Sequence, residues 1–163
     1  MDQEKQIEKM KDKDKIRAVN YGMKLLTARQ KTEKEMVDKL KAKNFTDDII
    51  HYVLSYLKSY GYLDDKKYVE LFLREKININ RYGTMKLRNK LLQKGIPSEL
   101  IEEGLGRIDE ETMIENAVYL ANKKINSLNG QESIDIRHKV YRHLASKGYS
   151  YTTIAKALTL VMF

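Results

Sequence analysis

One closing motif occurs three times along this chain. The hexapeptides LKAKNF (40–45), LLQKGI (91–96) and LASKGY (144–149) share a leucine first, a lysine fourth, a glycine or asparagine fifth and a large apolar residue sixth. Their leucines stand 51 and then 53 residues apart. A self-similarity of this period is typical of tandem helical repeats, in which stacked units share a continuous core.

The similarity extends to the apolar residues on both sides of the motif. Each unit has an apolar residue four positions before the shared leucine, and others ten and fourteen positions after it. Apolar positions four apart on both sides of a turn predict two helices per unit. These positions are Met36, Leu87 and Val140, then Ile50, Ile101 and Ile154, then Leu54, Leu105 and Leu158.

The residues of the turn fit this interpretation. Gly95, Gly148 and Asn44 suit the left-handed conformation that often follows the last residue of a helix. The lysine before each of them places a positive charge at the negative end of the helix dipole. Starting signals are also present: Thr46 and Ser150 as N-caps, Pro97 in a first turn, and a capping box over 32–35.

A third helix precedes each pair. We expect a long N-terminal helix with Ile16, Val19, Met23 and Leu26 on one stripe, a helix from Asp64 or Asp65 to about Ile79, and one from about Asp109. Residues 127–133 are expected to form a flexible loop. The predicted fold is all-α, an elongated and curved tandem array of three three-helix units. Its predicted parts are 1–60 (the N-terminal helix and first unit), 61–106 and 107–163.

Composition limits the classes of function. The net charge of +8, from 31 Lys and Arg against 23 Asp and Glu, suggests a polyanionic partner, nucleic acid first. The absence of cysteine excludes disulfides, thiolate nucleophiles and cysteine-ligated metals. No apolar run approaches the length of a membrane span, and the charged start is unlike a signal peptide. We therefore expect a cytoplasmic, monomeric protein that does not bind membranes.

No set of residues predicts catalysis. His138 and His143 are five residues apart, so they do not share a helical face at metal-ligand spacing. Asp64 and Asp65 stand just before a predicted helix, where capping is the expected role. We predict no catalytic residues, no metal and no cofactor.

Basic stripes are the better candidates for binding. Lys86, Lys90 and Gln93 lie opposite the core positions of their helix, and Lys139, His143 and Ser146 repeat this in the third unit. The first unit has Glu35, Lys39 and Ala42 there, so its stripe is not basic. The stripes predict either a shallow polyanion track or a merely solvated face. The candidate binding residues are Arg74, Arg81, Tyr82, Lys86, Lys90, Lys139, Arg142 and His143.

Eleven tyrosines raise the question of stacking on nucleic-acid bases. Most are interpreted as core residues, because Tyr52 and Tyr56 stand among apolar neighbours on one predicted helix, and Tyr68 begins another apolar stripe. Tyr82, beside Arg81 at a predicted helix junction, is the exposed exception.

The segments YGYLDDKKYVELFLREKI (60–77) and RYGTMKLRNKLLQKGIPSELIEEGL (81–105) closely resemble the RecX family of bacterial recombination regulators. Segment 25–57 is similar to the first unit of that family, and beyond 107 mainly the LASKGY turn and its flanks match. The matching positions are Gly61, Tyr62, Leu63, Asp64, Asp65, Tyr68 and Val69, then Gly83, Leu87, Leu91, Lys94, Gly95 and Ile96.

The resemblance implies three-helix units in tandem and no enzymatic activity. It also implies binding to the RecA recombinase in the groove of its filament on single-stranded DNA. ATP hydrolysis, strand exchange and coprotease activity would thereby be suppressed, which would link the chain to homologous recombination, DNA repair and the SOS response. An alternative is a basic DNA-binding protein of the helix-turn-helix kind that acts without RecA. A scaffold that binds only protein is a third interpretation.

Overall fold

The computed structural model describes residues 2–128 and 133–162. Within these ranges the chain forms nine α-helices and no strand. The helices are α1 (Asp2–Ala28), α2 (Glu33–Ala42), α3 (Asp47–Ser59), α4 (Asp65–Asn78), α5 (Thr84–Gln93), α6 (Ser98–Leu105), α7 (Glu110–Asn126), α8 (Ser133–Ser146) and α9 (Tyr151–Val161). The predicted all-α class is confirmed.

The helices divide into two compact units. Unit 1 contains residues 1–68 together with 94–96, and unit 2 contains 69–93 and 97–163. The apolar positions of the repeat are buried in both units, apart from Leu54, which is only partly buried. None of the helices in the described part of the chain is long and apolar enough to cross a membrane.

The core of unit 1 forms where α1, α2 and α3 meet. Met36 and Leu40 of α2 and Val53 and Leu57 of α3 are completely buried. From α1, it is Ala18 that reaches zero exposure. The predicted α1 stripe is wrong at its start, because Ile16 is 64% exposed. The small residues Ala18 and Gly22 let α1 approach α3 closely, and this packing sets the buried face.

The left-handed helix ends are present where the motif predicts them. Asn44, Gly95 and Gly148 have φ of 60°, 76° and 91°. After α2, the N–H of Phe45 donates to the carbonyl of Leu40 (3.3 Å), and Tyr149 donates to Leu144 in the same way (3.3 Å). This is the bond that closes a Schellman cap.

A fourth helix end of this kind was not predicted. Gly61 has φ of 70°, and the N–H of Tyr62 donates to the carbonyl of Leu57 at 2.8 Å. The cap closes α3 and turns the chain into α4. Its hexapeptide, LKSYGY (57–62), has the first leucine, the fifth glycine and a large sixth residue, but tyrosine replaces the fourth lysine and the position lies outside the period of 51 to 53 residues, so the repeat did not indicate it.

The predicted helix starts are only partly right. Thr32 and Glu35 form the capping box, and Ser150 accepts from the Thr153 N–H at 3.2 Å. Thr46 occupies the N-cap of α3 without a side-chain hydrogen bond. Pro97 is itself the N-cap of α6, one residue before its predicted place in the first turn.

The two aspartates at the start of α4 have different roles. The carboxylate of Asp64 accepts from the Lys67 N–H at 3.0 Å, so Asp64 caps α4. Asp65 is buried and accepts from the Glu33 N–H at 2.9 Å. One aspartate starts its own helix, and the other satisfies an N–H at the start of α2.

A polar network completes unit 1. The Lys94 ammonium lies 2.7 Å from the Glu35 carboxylate, and the Thr32 hydroxyl donates to the Lys94 carbonyl at 2.8 Å. Burial alone would raise the pKa of Glu35, but the hydrogen bonds from Lys94 and from the Thr32 N–H lower it overall. The motif lysine Lys94 therefore holds Glu35 as well as standing at a helix end.

Unit 2 contains a close approach of two glycines. The N–H of Gly83 donates to the Lys147 carbonyl at 2.9 Å, and the N–H of Met85 donates to the Gly148 carbonyl at 3.0 Å. A Cβ on Gly83 would lie 2.3 Å from the backbone of Gly148. The start of α5 therefore rests directly on the end of α8.

The predicted loop at 127–133 is described only at its edges. Ser127 ends α7, Leu128 is buried, and Ser133 begins α8. Residues 129–132 lie outside the described part of the chain.

Two alanine substitutions separate backbone strain from steric clash. Gly61→Ala meets no atom within 4 Å, so it costs about 1–2 kcal/mol for its left-handed φ alone. Gly95→Ala has the same φ cost, but its Cβ would also lie 2.6 Å from the Lys34 Cβ. We expect a larger loss of unfolding free energy for Gly95→Ala, measured by denaturant titration. Equal losses of unfolding free energy in the two variants would show that the Lys34 side chain moves aside at little cost.

Candidate polyanion-binding site

Three lysines surround the ring of Tyr82 in unit 2. The ammonium of Lys86 lies 4.8 Å from the ring centroid, and those of Lys90 and Lys147 each lie 5.6 Å from it. All three distances are within the range of cation–π attraction. Lys86 and Lys90 are one turn apart on α5, whereas Lys147 follows the end of α8. We call these four residues the Tyr82 cluster.

The cluster depends on the contact between α5 and α8. The Lys86 ammonium donates to the Ser146 carbonyl at 3.1 Å, at the negative end of the α8 dipole. A Cβ on Gly148 would lie 2.4 Å from the Lys86 Cβ, so only glycine leaves room for this lysine. Lys86 is therefore held in place, and its charge is fixed beside Tyr82.

Arg81 positions Tyr82 through an unusual backbone conformation. Its φ is 50°, which is uncommon for a residue other than glycine. The Tyr149 hydroxyl donates to the Arg81 carbonyl at 2.7 Å, and the Arg81 guanidinium is hydrogen-bonded to the Asn116 side chain. It also lies 4.0 Å from the Tyr119 ring centroid. These contacts hold the strained residue that leads into Tyr82.

Buried partners support this arrangement. Asn116 also donates to the carbonyl of Ile77 at 3.2 Å, which ties α7 to the end of α4. Burial raises the pKa of Tyr149, and the charge of Arg81 opposes the shift only in part. The Tyr149 hydroxyl consequently stays protonated and remains a donor.

A second group of basic side chains lines an open depression beside α8. It consists of Lys139, Arg142 and His143 of α8 and Lys124 of α7. Burial lowers the pKa of His143, and the charges of Lys147 and Lys124 lower it further. His143 is one helical turn from Lys147, so the depression continues into the Tyr82 cluster. We call the cluster and the depression together the basic surface.

The predicted site residues are distributed unevenly. Tyr82, Lys86 and Lys90 gather in the cluster, Lys139, Arg142 and His143 line the depression, and Arg81 adjoins the cluster while bonded to Asn116. Arg74 is elsewhere in unit 2, where it lines a groove with Leu73 and Ile77.

Two members of the basic surface were missed by the sequence analysis. Lys147 extends the predicted stripe by one further turn after His143, and this spacing was a usable signal. Its place at the end of a helix indicated only an interaction with the helix dipole. Lys124 has no local signal, because packing of α7 on α8 brings it to the depression.

The interpretation of most tyrosines as core residues is wrong. Tyr149 is buried at 3% exposure, but Tyr52, Tyr119 and Tyr151 are 41%, 51% and 74% exposed. Tyr82, expected to be the exposed exception, is half-buried under its lysines. A ring at the edge of the apolar face of a helix stays exposed even when its neighbours in sequence are apolar. The apolar pattern therefore predicted burial for tyrosines that are exposed.

Fold and site together define an all-helical protein of tandem three-helix units with a basic surface. Three family models match in order: the first three-helix domain of RecX at 18–57, the second at 64–105 and the third at 110–158.

Curated relatives agree with these matches. The regulatory protein RecX of Clostridium botulinum (strain Alaska E43 / Type E3) is 40% identical over 141 residues, which are 85% of this chain and 66% of that protein. RecX of Clostridium perfringens (strain 13 / Type A) is 34% identical over 155 residues, covering 92% and 72%. The chain thus spans about two thirds of the length of these relatives.

Solved structures show the same fold. The crystal structure of RecX from Lactobacillus salivarius superposes with a TM-score of 0.87 at 25% identity, covering 92% of this chain and 97% of that one. A crystal structure of regulatory protein RecX superposes with a TM-score of 0.81 at 26% identity, covering 91% of this chain and 72% of that one. This chain belongs to the RecX family. Its members are regulatory proteins and not enzymes, so the prediction of a non-enzymatic protein is confirmed.

The position of His143 predicts a pH dependence of polyanion binding. Its lowered pKa keeps it neutral at pH 7, and protonation below pH 6.5 adds a charge to a surface already containing Lys124, Lys139, Arg142 and Lys147. We expect affinity for a labelled oligonucleotide, measured by fluorescence anisotropy, to rise as the pH falls from 7.5 to about 5.5. His143→Gln removes most of this rise.

His138→Gln is the matched control, since His138 is exposed on the same helix. This variant is expected to keep the rise in oligonucleotide affinity at low pH. An identical pH profile for His143→Gln and the unchanged protein would exclude His143 from the binding surface.

Proposed function

We propose that this chain binds RecA and its filament on single-stranded DNA, and thereby inhibits recombinase, ATPase and coprotease activities. Membership of the RecX family supports the regulatory part of this proposal. The observation that carries the contact with the filament is the basic surface. Three ammoniums within 5.6 Å of one tyrosine ring continue into a depression lined by four further basic side chains.

The chemistry of the basic surface fits a filament that contains DNA. Lysines crowded around one ring repel one another, and phosphates relieve this repulsion by neutralising them. Phosphate contacts position a protein on DNA without reading its sequence. A regulator that acts along a filament needs contacts of this sequence-independent kind.

The setting of this function follows from the partner. We propose that the chain acts as a monomer in the cytoplasm, in homologous recombination, DNA repair and the SOS response. Bare single- or double-stranded DNA is a further ligand of the same basic surface, with lower affinity than the RecA filament.

The ATPase of RecA on single-stranded DNA tests the proposal directly. Addition of this chain lowers the rate of ATP hydrolysis at concentrations that leave free DNA mostly unbound. The alternative, a helix-turn-helix DNA reader, predicts tight sequence-dependent binding to duplex DNA and inhibition only through competition for DNA. Inhibition that vanishes when DNA is in excess over both proteins would favour that alternative.

Charge reversal tests the basic surface. Lys90→Glu with Arg142→Glu changes one residue of the Tyr82 cluster and one of the depression, and neither donates to a helix end as Lys86 does. We expect at least a tenfold increase in the concentration needed for half-inhibition of the RecA ATPase. Thermal stability changes little, because substitutions at such sites usually stay within about 0.5 kcal/mol.

The control carries the same change of charge in unit 1. Lys9→Glu with Lys13→Glu alters two exposed lysines of α1 that are not part of the basic surface. Inhibition is retained in this variant. Equal losses of inhibition in the two variants would mean that net charge governs binding. Full inhibition by the Lys90→Glu, Arg142→Glu variant would place the contact on another surface.

A further inference from the structure

Four tyrosines follow one another along the surface of unit 1. Tyr52 and Tyr56 stand one helical turn apart on α3, Tyr60 is the C-cap of that helix, and Tyr62 follows the left-handed residue Gly61. The centroids of successive rings are 6.4, 4.8 and 6.2 Å apart. These distances are those of aromatic rings in contact. We call this row the tyrosine ladder.

The ladder is largely open to solvent. Tyr52, Tyr60 and Tyr62 are 41%, 63% and 52% exposed, whereas Tyr56 packs partly on the core. The fold does not need these exposed rings, since α3 is anchored by Ile49, Ile50, Val53 and Leu57. A contiguous exposed aromatic surface of this kind indicates a place of contact with a ligand or partner.

A basic pocket adjoins one end of the ladder. Lys31, Lys67, Gly61 and Tyr62 all line it, so Tyr62 belongs to both features. Lys31 is only 7% exposed. Burial lowers the pKa of Lys31, and the nearby charge of Arg29 lowers it further. An anion in the pocket offsets both effects, because it stabilises the charged ammonium.

Charges around the ladder select this end for an anion. At the opposite end the Lys15 ammonium lies 5.0 Å from the Tyr52 ring centroid, but it is paired with Asp12 (3.6 Å), and Asp48 adds a further carboxylate one turn before Tyr52 on α3. Asp64 also lines the pocket, but its carboxylate already accepts from the Lys67 N–H at 3.0 Å. The basic pocket is therefore the end at which a phosphate is best accommodated.

We propose that the tyrosine ladder and the basic pocket form a binding site for single-stranded nucleic acid. Its bases stack on the rings, and a backbone phosphate lies at Lys31 and Lys67. Sites for single strands combine aromatic rings with positive charge in this way, and stacking tolerates any base sequence. Duplex DNA keeps its bases paired and stacked, so the ladder disfavours it. The proposal concerns unit 1 and does not rest on the proposed inhibition of RecA.

The test uses the full chain and a fluorescein-labelled thymidine oligonucleotide at low salt. Lys90→Glu and Arg142→Glu are present throughout, so that the basic surface of unit 2 contributes little. Adding Tyr60→Ser is expected to weaken binding about fivefold or more, the effect of losing one stacked base. Tyr60→Phe keeps the ring and retains the affinity. Tyr151→Ser, which removes a ring 74% exposed on α9, is the matched control and changes nothing.

The pocket has its own variant. Lys67→Glu is expected to weaken binding and to reduce the slope of log affinity against log salt by about 0.7, the value for one phosphate of a single strand. Lys41→Glu, an exposed lysine of α2 in the same unit, leaves the slope unchanged. An unchanged slope for Lys67→Glu would remove the phosphate from the proposal.

Other outcomes would overturn the stacking site. Tyr60→Ser and Tyr62→Ser with normal melting temperatures and unchanged affinity would exclude it. Equal losses for duplex and single-stranded probes would show that bases are not stacked on the rings. Loss of RecA inhibition by the tyrosine variants, with no change in DNA affinity, would make the ladder a protein-docking surface instead.

Discussion

The left-handed residue at the helix ends is the constraint on which this fold depends. At Asn44, Gly61 and Gly148 the chain reverses within one residue, and the N–H of the next residue donates to a carbonyl of the helix just completed; Gly95 has the same left-handed φ. Short, defined turns fix where the following helix starts. If the chain did not reverse so sharply, the apolar faces of successive helices would not meet. A chain with 33% charged residues has little other apolar surface whose burial could offset the entropy lost on folding.

The sequence predicted the repeated parts well and the unique parts poorly. The spacing of leucines located Leu40, Leu91 and Leu144 in the core, because a repeated pattern reports the same packing three times. The cap at Gly61 and the exposed ring of Tyr52 each occur once and depend on which neighbouring helix covers them. The basic surface was half predictable: residues of one helical stripe were found, whereas Lys124 arrives from another helix through tertiary packing.

One position of the repeat serves three purposes. Glu35, Lys86 and Lys139 each directly precede a fully buried residue of their unit's middle helix. Glu35 closes a capping box and pairs with Lys94, Lys86 holds the end of α8 and faces Tyr82, and Lys139 lines the depression. A position just outside the core is free to diverge, since its side chain contributes little to burial. This freedom explains how a repeated scaffold supports the Glu35–Lys94 ion pair in one unit and a basic surface in another.

The contact of Gly83 with Gly148 limits how such a chain can evolve. Tandem arrays are usually modular, and units can be lost, duplicated or exchanged because each meets its neighbour through adaptable side chains. Here the second and third domains also touch backbone to backbone at Gly83 and Gly148, and a side chain at either glycine has no room. A replacement third domain would have to present a bare helix end at the same place, with a backbone carbonyl directed at the Gly83 N–H. A change on one side of this contact therefore requires a matching change on the other, and this boundary is a poor place to exchange one domain.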